Sequence, residues 1–152
     1  MTRRESVLHR TSFAVAIVGL ATSSYLAWEY ARGGVIACPV AGTGCDDVRQ
    51  SQFSAVLGIP VPWLGIAYYS SFALIEAVRQ EFGAYQRFVG RLIVGLAVIG
   101  VLASAWFTYL EAFVISAWCF WCVVSAGCAL ALLLVTTAIE ALQSRSGAGH
   151  ET

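Results

Sequence analysis

Four of the five cysteines fall into two close pairs, and this spacing suggests thiol chemistry. Cys119 and Cys122 are separated by two residues and stand immediately before a long apolar run. On a helix, residues three apart lie on one face. At a helix N-terminus the dipole favours a thiolate on the first sulfur, and the second sulfur can close a disulfide onto it. The pattern therefore predicts a redox pair where a helix begins.

The other pair, Cys38 and Cys45, is spaced Cys-x6-Cys in a loop that contains several glycines and a proline. A disulfide here could simply staple the loop. It could equally take part in thiol–disulfide exchange, meeting a soluble thiol protein on one side and the helical pair on the other. The spacing leaves both functions open. A zinc site built from both pairs is disfavoured because no histidine accompanies them, so we expect no metal.

The fifth cysteine and three tryptophans have simpler interpretations. Cys128 lies six residues past Cys122, about 240° around a helix, so it faces elsewhere and is expected to serve packing.

Trp63, Trp118 and Trp121 lie near the ends of apolar runs. Tryptophan at such a position is usually an interfacial anchor, and contact with a bound aromatic ring is the alternative.

The composition places the chain in a membrane. Of its 152 residues, 59% are hydrophobic and 12% are charged, and the mean hydropathy is +0.74. A soluble domain of this size could not bury so much apolar surface, whereas a bilayer can. The formal net charge is zero and no basic patch is present, so we expect no nucleic-acid partner.

Four apolar runs are each long enough to cross a bilayer, which takes about 20 residues in a helix. The sequence therefore predicts an all-α integral membrane protein, a four-transmembrane-helix bundle that forms a single domain over residues 1–152. A cleaved signal peptide is the alternative for the first run, and it is disfavoured because three further spans follow. The predicted spans are about 12–30, 62–78, 87–110 and 118–141.

The polar segment 31–60 is expected to be a cysteine-containing outer loop. Within it we predict a short amphipathic helix, capped by Asp46 and running from Val48 to about Leu57, that lies on the membrane surface. The polar tail, residues 142–152, is expected to be disordered. His9, in the N-terminal segment, is expected to be exposed to solvent.

The arginines predict the orientation of the spans. If the N-terminus is cytoplasmic, seven of the nine cationic residues lie on the cytoplasmic side and two on the outer side. This bias follows the positive-inside rule and puts both termini in the cytoplasm and both cysteine pairs outside, where disulfides persist. We therefore expect a multi-pass protein of the inner (cytoplasmic) membrane, in contact with its lipid. The seven are Arg3, Arg4, Arg10, Arg79, Arg87, Arg91 and Arg145, and the two are Arg32 and Arg49.

Taken together, these features resemble the vitamin K epoxide reductase family. The likeness rests on four spans, the loop pair, Ser51 six residues after Cys45, the Leu64-Gly65 opening of the second span and the terminal Cys-x-x-Cys pair, and it extends from about residue 10 to 141. In that family, four helices surround a quinone near the Cys-x-x-Cys pair. The loop pair relays electrons from a thioredoxin-fold partner.

The resemblance implies a role for each functional residue. The partner's thiol would attack Cys38, Cys45 would exchange with Cys119, and Cys122 would face the quinone and supply the attacking thiolate. Three further residues would lie over or around the quinone, although a surface hydroxyl and ordinary packing explain them equally well. These are Ser51, Phe53 and Leu64.

Two departures from the animal enzymes bear on the substrate. Those enzymes place an Asn near Val61 and a Tyr near Ala126 to hydrogen-bond the quinone, and neither is present here. The pattern fits the bacterial branch, which implies ubiquinone or menaquinone rather than vitamin K epoxide. Many bacterial members carry a fused thioredoxin-like domain, which these 152 residues do not include, so we expect the partner to act in trans.

The expected function is that of a membrane thiol oxidoreductase that generates disulfides. Electrons would pass from the thioredoxin-fold partner to the loop pair, then to the helical pair, and on to the quinone pool. A vitamin K epoxide or quinone reductase proper is one alternative. A non-enzymatic membrane protein stapled by a disulfide is the other.

Overall fold

The computed structural model describes residues 3–39, 44–79 and 85–148, and four long helices make up most of it. All four are long and apolar enough to cross a membrane, which confirms the predicted all-α membrane bundle. In chain order the elements are α1 (Arg3–Arg32), α2 (Gly44–Gln50), β1 (Ala55–Val56), β2 (Ile59–Pro60), α3 (Val61–Val78), α4 (Gln86–Tyr109), a π-helical turn (Leu110–Ile115) and α5 (Phe120–Ala148).

The four long helices do not contact one another equally. α1 packs along both α3 and α5, and α4 packs along α5, whereas α3 and α4 touch only sparsely. Small residues allow the close approaches: Gly19 of α1 lies directly against the Tyr69 ring, and Gly100 of α4 against the Tyr68 hydroxyl. Cys128 packs beside the core, as predicted. The core consists of Ala16, Tyr69, Phe72, Ala73, Val89, Ile93, Ala97 and Leu132.

The bundle has two different ends. Residues 33–39, 44–60 and 116–119 lie at one end, which we call the cysteine end, and Arg3 and Ala148 lie at the other, the terminal end. α5 continues through residues 142–148, so the prediction of a disordered tail is wrong there. These residues simply extend the intrahelical hydrogen bonds of the last span. Residues 149–152 of that tail and 40–43 of the predicted loop lie outside the described residues.

The predicted surface helix exists, but its bounds are wrong. α2 begins at Gly44 and ends at Gln50, because the Ser51 hydroxyl donates to the carbonyl of Val48 at 2.7 Å and competes with the helical backbone. Asp46 therefore lies in the first turn rather than at the cap. The following residues form a β1–β2 hairpin that turns at Leu57 and Gly58, both with positive φ.

Buried polar pairs join the helices at the terminal end. The Nδ1 atom of His9 on α1 is hydrogen-bonded to Glu76 on α3, and both side chains are buried. The prediction of an exposed His9 is therefore wrong. Arg79 is fully buried, and its Nη2 donates to Glu140 and, at 3.1 Å, to Gln143, both on α5. Each of these buried polar side chains thus meets a partner on another helix, which offsets the cost of burial.

Replacing Glu140 by alanine is expected to destabilise the bundle. The substitution leaves the buried Arg79 guanidinium without its carboxylate, and breaking a buried pair in this way typically costs about 3–5 kcal/mol. Thermal unfolding in detergent micelles measures the change, with Glu29→Ala as the matched control at the opposite end. A Glu140→Ala protein that unfolds at the control's temperature would show that the pair contributes nothing.

Candidate active site

The loop cysteines form a disulfide that ties the chain leaving α1 to the first turn of α2. Cys38 and Cys45 are joined, with their Cα atoms 6.3 Å apart. Cys45 is 1% exposed, whereas Cys38 is only partly buried. The two sulfurs therefore differ in accessibility, and Cys38 is the one that a second protein can approach more readily.

α2 lies directly on the segment that precedes α5. A Cβ atom built on Gly44 would overlap the carbonyl oxygen of Trp118, a backbone atom that cannot move aside. Only glycine permits this approach. As a result Cys45 and Cys119 fall into one packed cluster together with Leu26 and Ile36. The two cysteine pairs thus meet at one end of the bundle.

Cys119 and Cys122 stand at the start of α5. The Cys119 carbonyl accepts the first helical hydrogen bond, from Val123 at 3.1 Å, so Cys119 occupies the N-cap and Cys122 the first turn. Both are free thiols. A hydrogen bond from the Cys122 thiol lowers the pKa of the Cys119 thiol, and the helix N-terminus favours the thiolate further. Cys119 is therefore the better nucleophile toward the neighbouring disulfide.

Side-chain contacts hold the cysteine-bearing loop against α5. The indole nitrogen of Trp121 donates to the carbonyl of Ala37 at 3.0 Å, next to Cys38. Its ring packs against Tyr25 of α1 in a tilted arrangement, with the ring centroids 4.9 Å apart. Asp46 accepts from Arg49 at 3.1 Å and from the Ile36 amide at 3.4 Å. Trp121 thus does not line the cavity. It holds the loop that carries Cys38 against α1 and α5.

An apolar cavity of about 280 Å³ lies beside Cys122. Its walls come from all four long helices, and residues of the 44–60 segment close it at the cysteine end. The volume is near the lower limit of ligand pockets, roughly 300 Å³, enough for one substituted ring. Phe107 and Tyr68 contribute aromatic faces. Such a cavity suits an apolar ring held beside a reactive sulfur.

The structure brings most of the predicted site residues together. Phe53, Leu64 and Cys122 line the cavity, whereas Ser51 does not, because its hydroxyl is turned to the carbonyl of Val48. Val61 also lines it. Trp63 and Trp118 are more than half exposed on the bundle surface, as interfacial anchors would be.

Sequence reasoning missed Glu111 as a site residue, since the third predicted span ends at residue 110, one position before it. Its side chain is 3% exposed, lines the cavity and accepts the backbone N–H of Cys119 at 3.1 Å. The Cys122 thiol is hydrogen-bonded to the same carboxyl group. One feature of the sequence could have identified it: Glu111 is an acidic residue in an otherwise apolar stretch, eight positions before the first cysteine of the Cys-x-x-Cys pair.

Comparison with known proteins identifies the family of the chain. A sequence model of the vitamin K epoxide reductase family matches residues 11–137, which is most of the chain. A curated relative, the thiol-disulfide oxidoreductase LTO1 of Arabidopsis thaliana, is 28% identical over 126 residues, covering 80% of this chain and 34% of that protein. The chain therefore spans about a third of the length of this relative.

Replacing Gly44 by alanine is expected to slow exchange between the two cysteine pairs. The added Cβ pushes α2 away from the Trp118 carbonyl and Cys45 away from Cys119, and a misplacement of about 1 Å can cost up to roughly 100-fold in rate. In a Cys122→Ser background, attack of Cys119 on the loop disulfide releases the Cys38 thiol, which an alkylating reagent then traps. The control is Gly34→Ala, where the new Cβ meets nothing closer than 4.0 Å; equal rates in the two variants would contradict the prediction.

Cys122→Ala is expected to raise the pKa of Cys119. The Cys122 thiol is the main group that lowers this pKa in the native protein, so its removal leaves less Cys119 thiolate at neutral pH. The rate of Cys119 alkylation by iodoacetamide, resolved by peptide mass spectrometry, should then reach half its maximum at a higher pH. Cys128→Ser should leave the profile in place, and a downward shift in Cys122→Ala would count against the hydrogen bond.

Proposed function

This chain belongs to the vitamin K epoxide reductase family, and from that premise we propose that it is a membrane thiol oxidoreductase that makes disulfides and reduces a quinone. Electrons enter at the loop pair, Cys38 and Cys45, pass to Cys119 and Cys122, and leave to the quinone. The observation that carries the proposal is the position of the free pair, with Cys119 in one cluster with Cys45 and Cys122 in the wall of an apolar cavity.

The arrangement supports a relay by thiol–disulfide exchange. A reduced Cys45 attacks Cys119 of an oxidised helical pair, forming a Cys45–Cys119 bond and releasing Cys122 as a thiolate. Cys38 then attacks Cys45, which closes the loop disulfide and frees Cys119. One disulfide is broken and one is formed, so two electrons move from the loop to α5. A closed loop disulfide beside a free helical pair is the product of this exchange.

A quinone fits the electron acceptor that this pair requires. The cavity is apolar, lies within the depth of the spanning helices and places Phe53 and Leu64 near Cys122, so its ligand is one that dissolves in the bilayer. Phe107 would bind the ring face and Cys122 its reactive edge. When bound, the quinone takes up two electrons and two protons. The animal enzymes carry an Asn near the position of Val61, and the apolar side chain found here favours ubiquinone or menaquinone over an epoxide.

We propose a thioredoxin-fold protein, acting in trans, as the electron donor. Cys38 is the more accessible loop sulfur, and Val35 and Leu57 nearby in the loop are 81% and 98% exposed, so an apolar partner surface could dock there. The arginine bias supports an inner-membrane location with both termini in the cytoplasm. The cysteine end then faces the oxidising compartment, where newly secreted proteins need disulfides.

Variants at single cysteines test the relay. Cys122→Ser should accumulate a disulfide between Cys45 and Cys119, because the partner of Cys119 is lost, and Cys45→Ser should form no such link. Cys119→Ala should abolish disulfide formation in a host that depends on this activity. Non-reducing peptide mapping identifies the bonds, and Cys128→Ser, outside the relay, is the control.

Two results would redirect the assignment. Full disulfide formation in Cys119→Ala would support a non-enzymatic, disulfide-stapled protein. For the reductase alternative, the native protein is reduced with a dithiol and offered a soluble ubiquinone, a menaquinone or vitamin K epoxide in turn. We expect quinone reduction well above epoxide turnover, and the opposite ranking would make the chain an epoxide reductase.

A further inference from the structure

Glu111 occupies an unusual position for a carboxyl group in a membrane bundle. It lies in the π-helical turn between α4 and α5, is 3% exposed, and is the one charged residue among the described residues that line the cavity. A carboxyl group in an apolar wall is costly unless it is hydrogen-bonded, and in a membrane it commonly marks a functional position. The burial of the Glu111 carboxyl group in this apolar wall therefore indicates a chemical role.

The surrounding backbone directs this carboxyl group at the cysteine pair. The Glu111 carbonyl accepts the amides of Ser116 and, at 3.1 Å, of Ala117, which closes the turn before α5. Its Oε2 accepts the Cys119 amide at 3.1 Å, and the same carboxyl is hydrogen-bonded to the Cys122 thiol. One side chain thus touches both members of the pair and borders the space beside them.

The proposed reaction needs a group in this place. Closing the Cys119–Cys122 disulfide releases two electrons and two thiol protons, and reducing a quinone to a hydroquinone consumes two of each. In an apolar cavity, bulk water is not available to carry the proton that leaves Cys122. We infer that Glu111 is a catalytic residue that accepts the Cys122 proton as the sulfur reacts and donates it to the nearer oxygen of the quinone.

Each proton and electron has a place in this scheme. The Cys122 proton moves to Glu111 and then to one oxygen, so Glu111 ends in its starting state. The deprotonated Cys122 sulfur bonds to the quinone, which is the electron acceptor. The Cys119 thiolate then attacks Cys122, which forms the S–S bond, breaks the bond between Cys122 and the acceptor and leaves the electron pair on the acceptor, whose second oxygen takes the proton that Cys119 had released. Glu111 therefore turns over without net consumption, as a general acid–base must.

Electrostatics favours proton transfer over simple charge stabilisation. An ionised Glu111 beside a Cys122 thiolate would place two like charges in contact in a site of low dielectric. One proton shared between the two groups avoids this repulsion, and such groups titrate as a pair. Tyr30 of α1 and Cys119 interact with this position, and Arg49 of α2 acts on Tyr30. Tyr68 and Tyr69 of α3 line the same cavity.

The inference rests on the proposed function, and Glu111→Gln tests it. Glutamine can still accept the Cys119 amide, so it preserves the hydrogen bond while removing proton transfer. In single-turnover reduction of a soluble ubiquinone by the reduced protein, we expect the rate to fall about 10²- to 10⁴-fold, the usual contribution of acid–base catalysis. Glu111→Asp should retain an intermediate rate. Glu29→Gln, the same change on α1 outside the cavity, is the matched control.

Two further measurements separate catalysis from a structural role. In a Cys122→Ser background, the Glu111→Gln variant should still form the Cys45–Cys119 bond at the rate of its parent, which shows that the site is folded. Without any quinone present, alkylation of Cys122 as a function of pH should show two steps in the native protein and one in the variant.

The outcomes discriminate the possibilities. If Glu111→Gln reduces quinone at the native rate, or loses exchange and quinone reduction together, Glu111 is not the proton carrier, although the relay stands. An unchanged two-step alkylation profile in the variant would overturn the inference as well. If the native protein reduces no quinone at all, the proposed function fails and the role of Glu111 fails with it.

Discussion

The contact between Gly44 and the backbone of Trp118 is the constraint on which the site depends. Disulfide exchange requires sulfurs in line and in reach, and the two cysteine pairs are more than 70 residues apart in the chain. The two pairs come together because α2, a helix of seven residues, packs directly on the turn before α5. A side chain larger than hydrogen at position 44 would hold that helix away. The Trp121 bond to Ala37 and the Asp46 bond to Ile36 then fix the loop from the other side.

The parts of the structure that could be predicted from sequence are those set by length and by patterns of neighbouring residues. The apolar runs predicted four spans. Because two of these spans separate the loop from Cys119, the chain returns to the same side of the membrane, and both cysteine pairs are expected at one end. The Cys-x-x-Cys spacing placed the thiols on one face at a helix start. These features depend on hydropathy and helix geometry, which a local stretch of sequence specifies.

The missed features depend on distant partners or on backbone irregularity. His9 looked like a tail residue because its partner, Glu76, is 67 positions away. Glu111 was missed because the third predicted span ends at residue 110, where a straight α4 would leave the bundle. The π-helical turn instead changes the direction of the side chain and points it inward. The bounds of α2 were missed because Ser51, taken for a residue over the quinone, ends the helix by bonding to Val48.

The unequal packing of the helices explains how so small a bundle can be held together by interhelical contacts and still contain a cavity. Polar pairs tie α3 to α1 through His9 and Glu76, and tie the end of α3 to α5 through Arg79 and Glu140. α4 is held along α5 instead, so α3 and α4 need not pack against each other and the cavity opens between them. The charges at the terminal end fix the helices, and their separation toward the cysteine end leaves room for a ligand beside Cys122. Stability and function are thus placed at opposite ends of the same four helices.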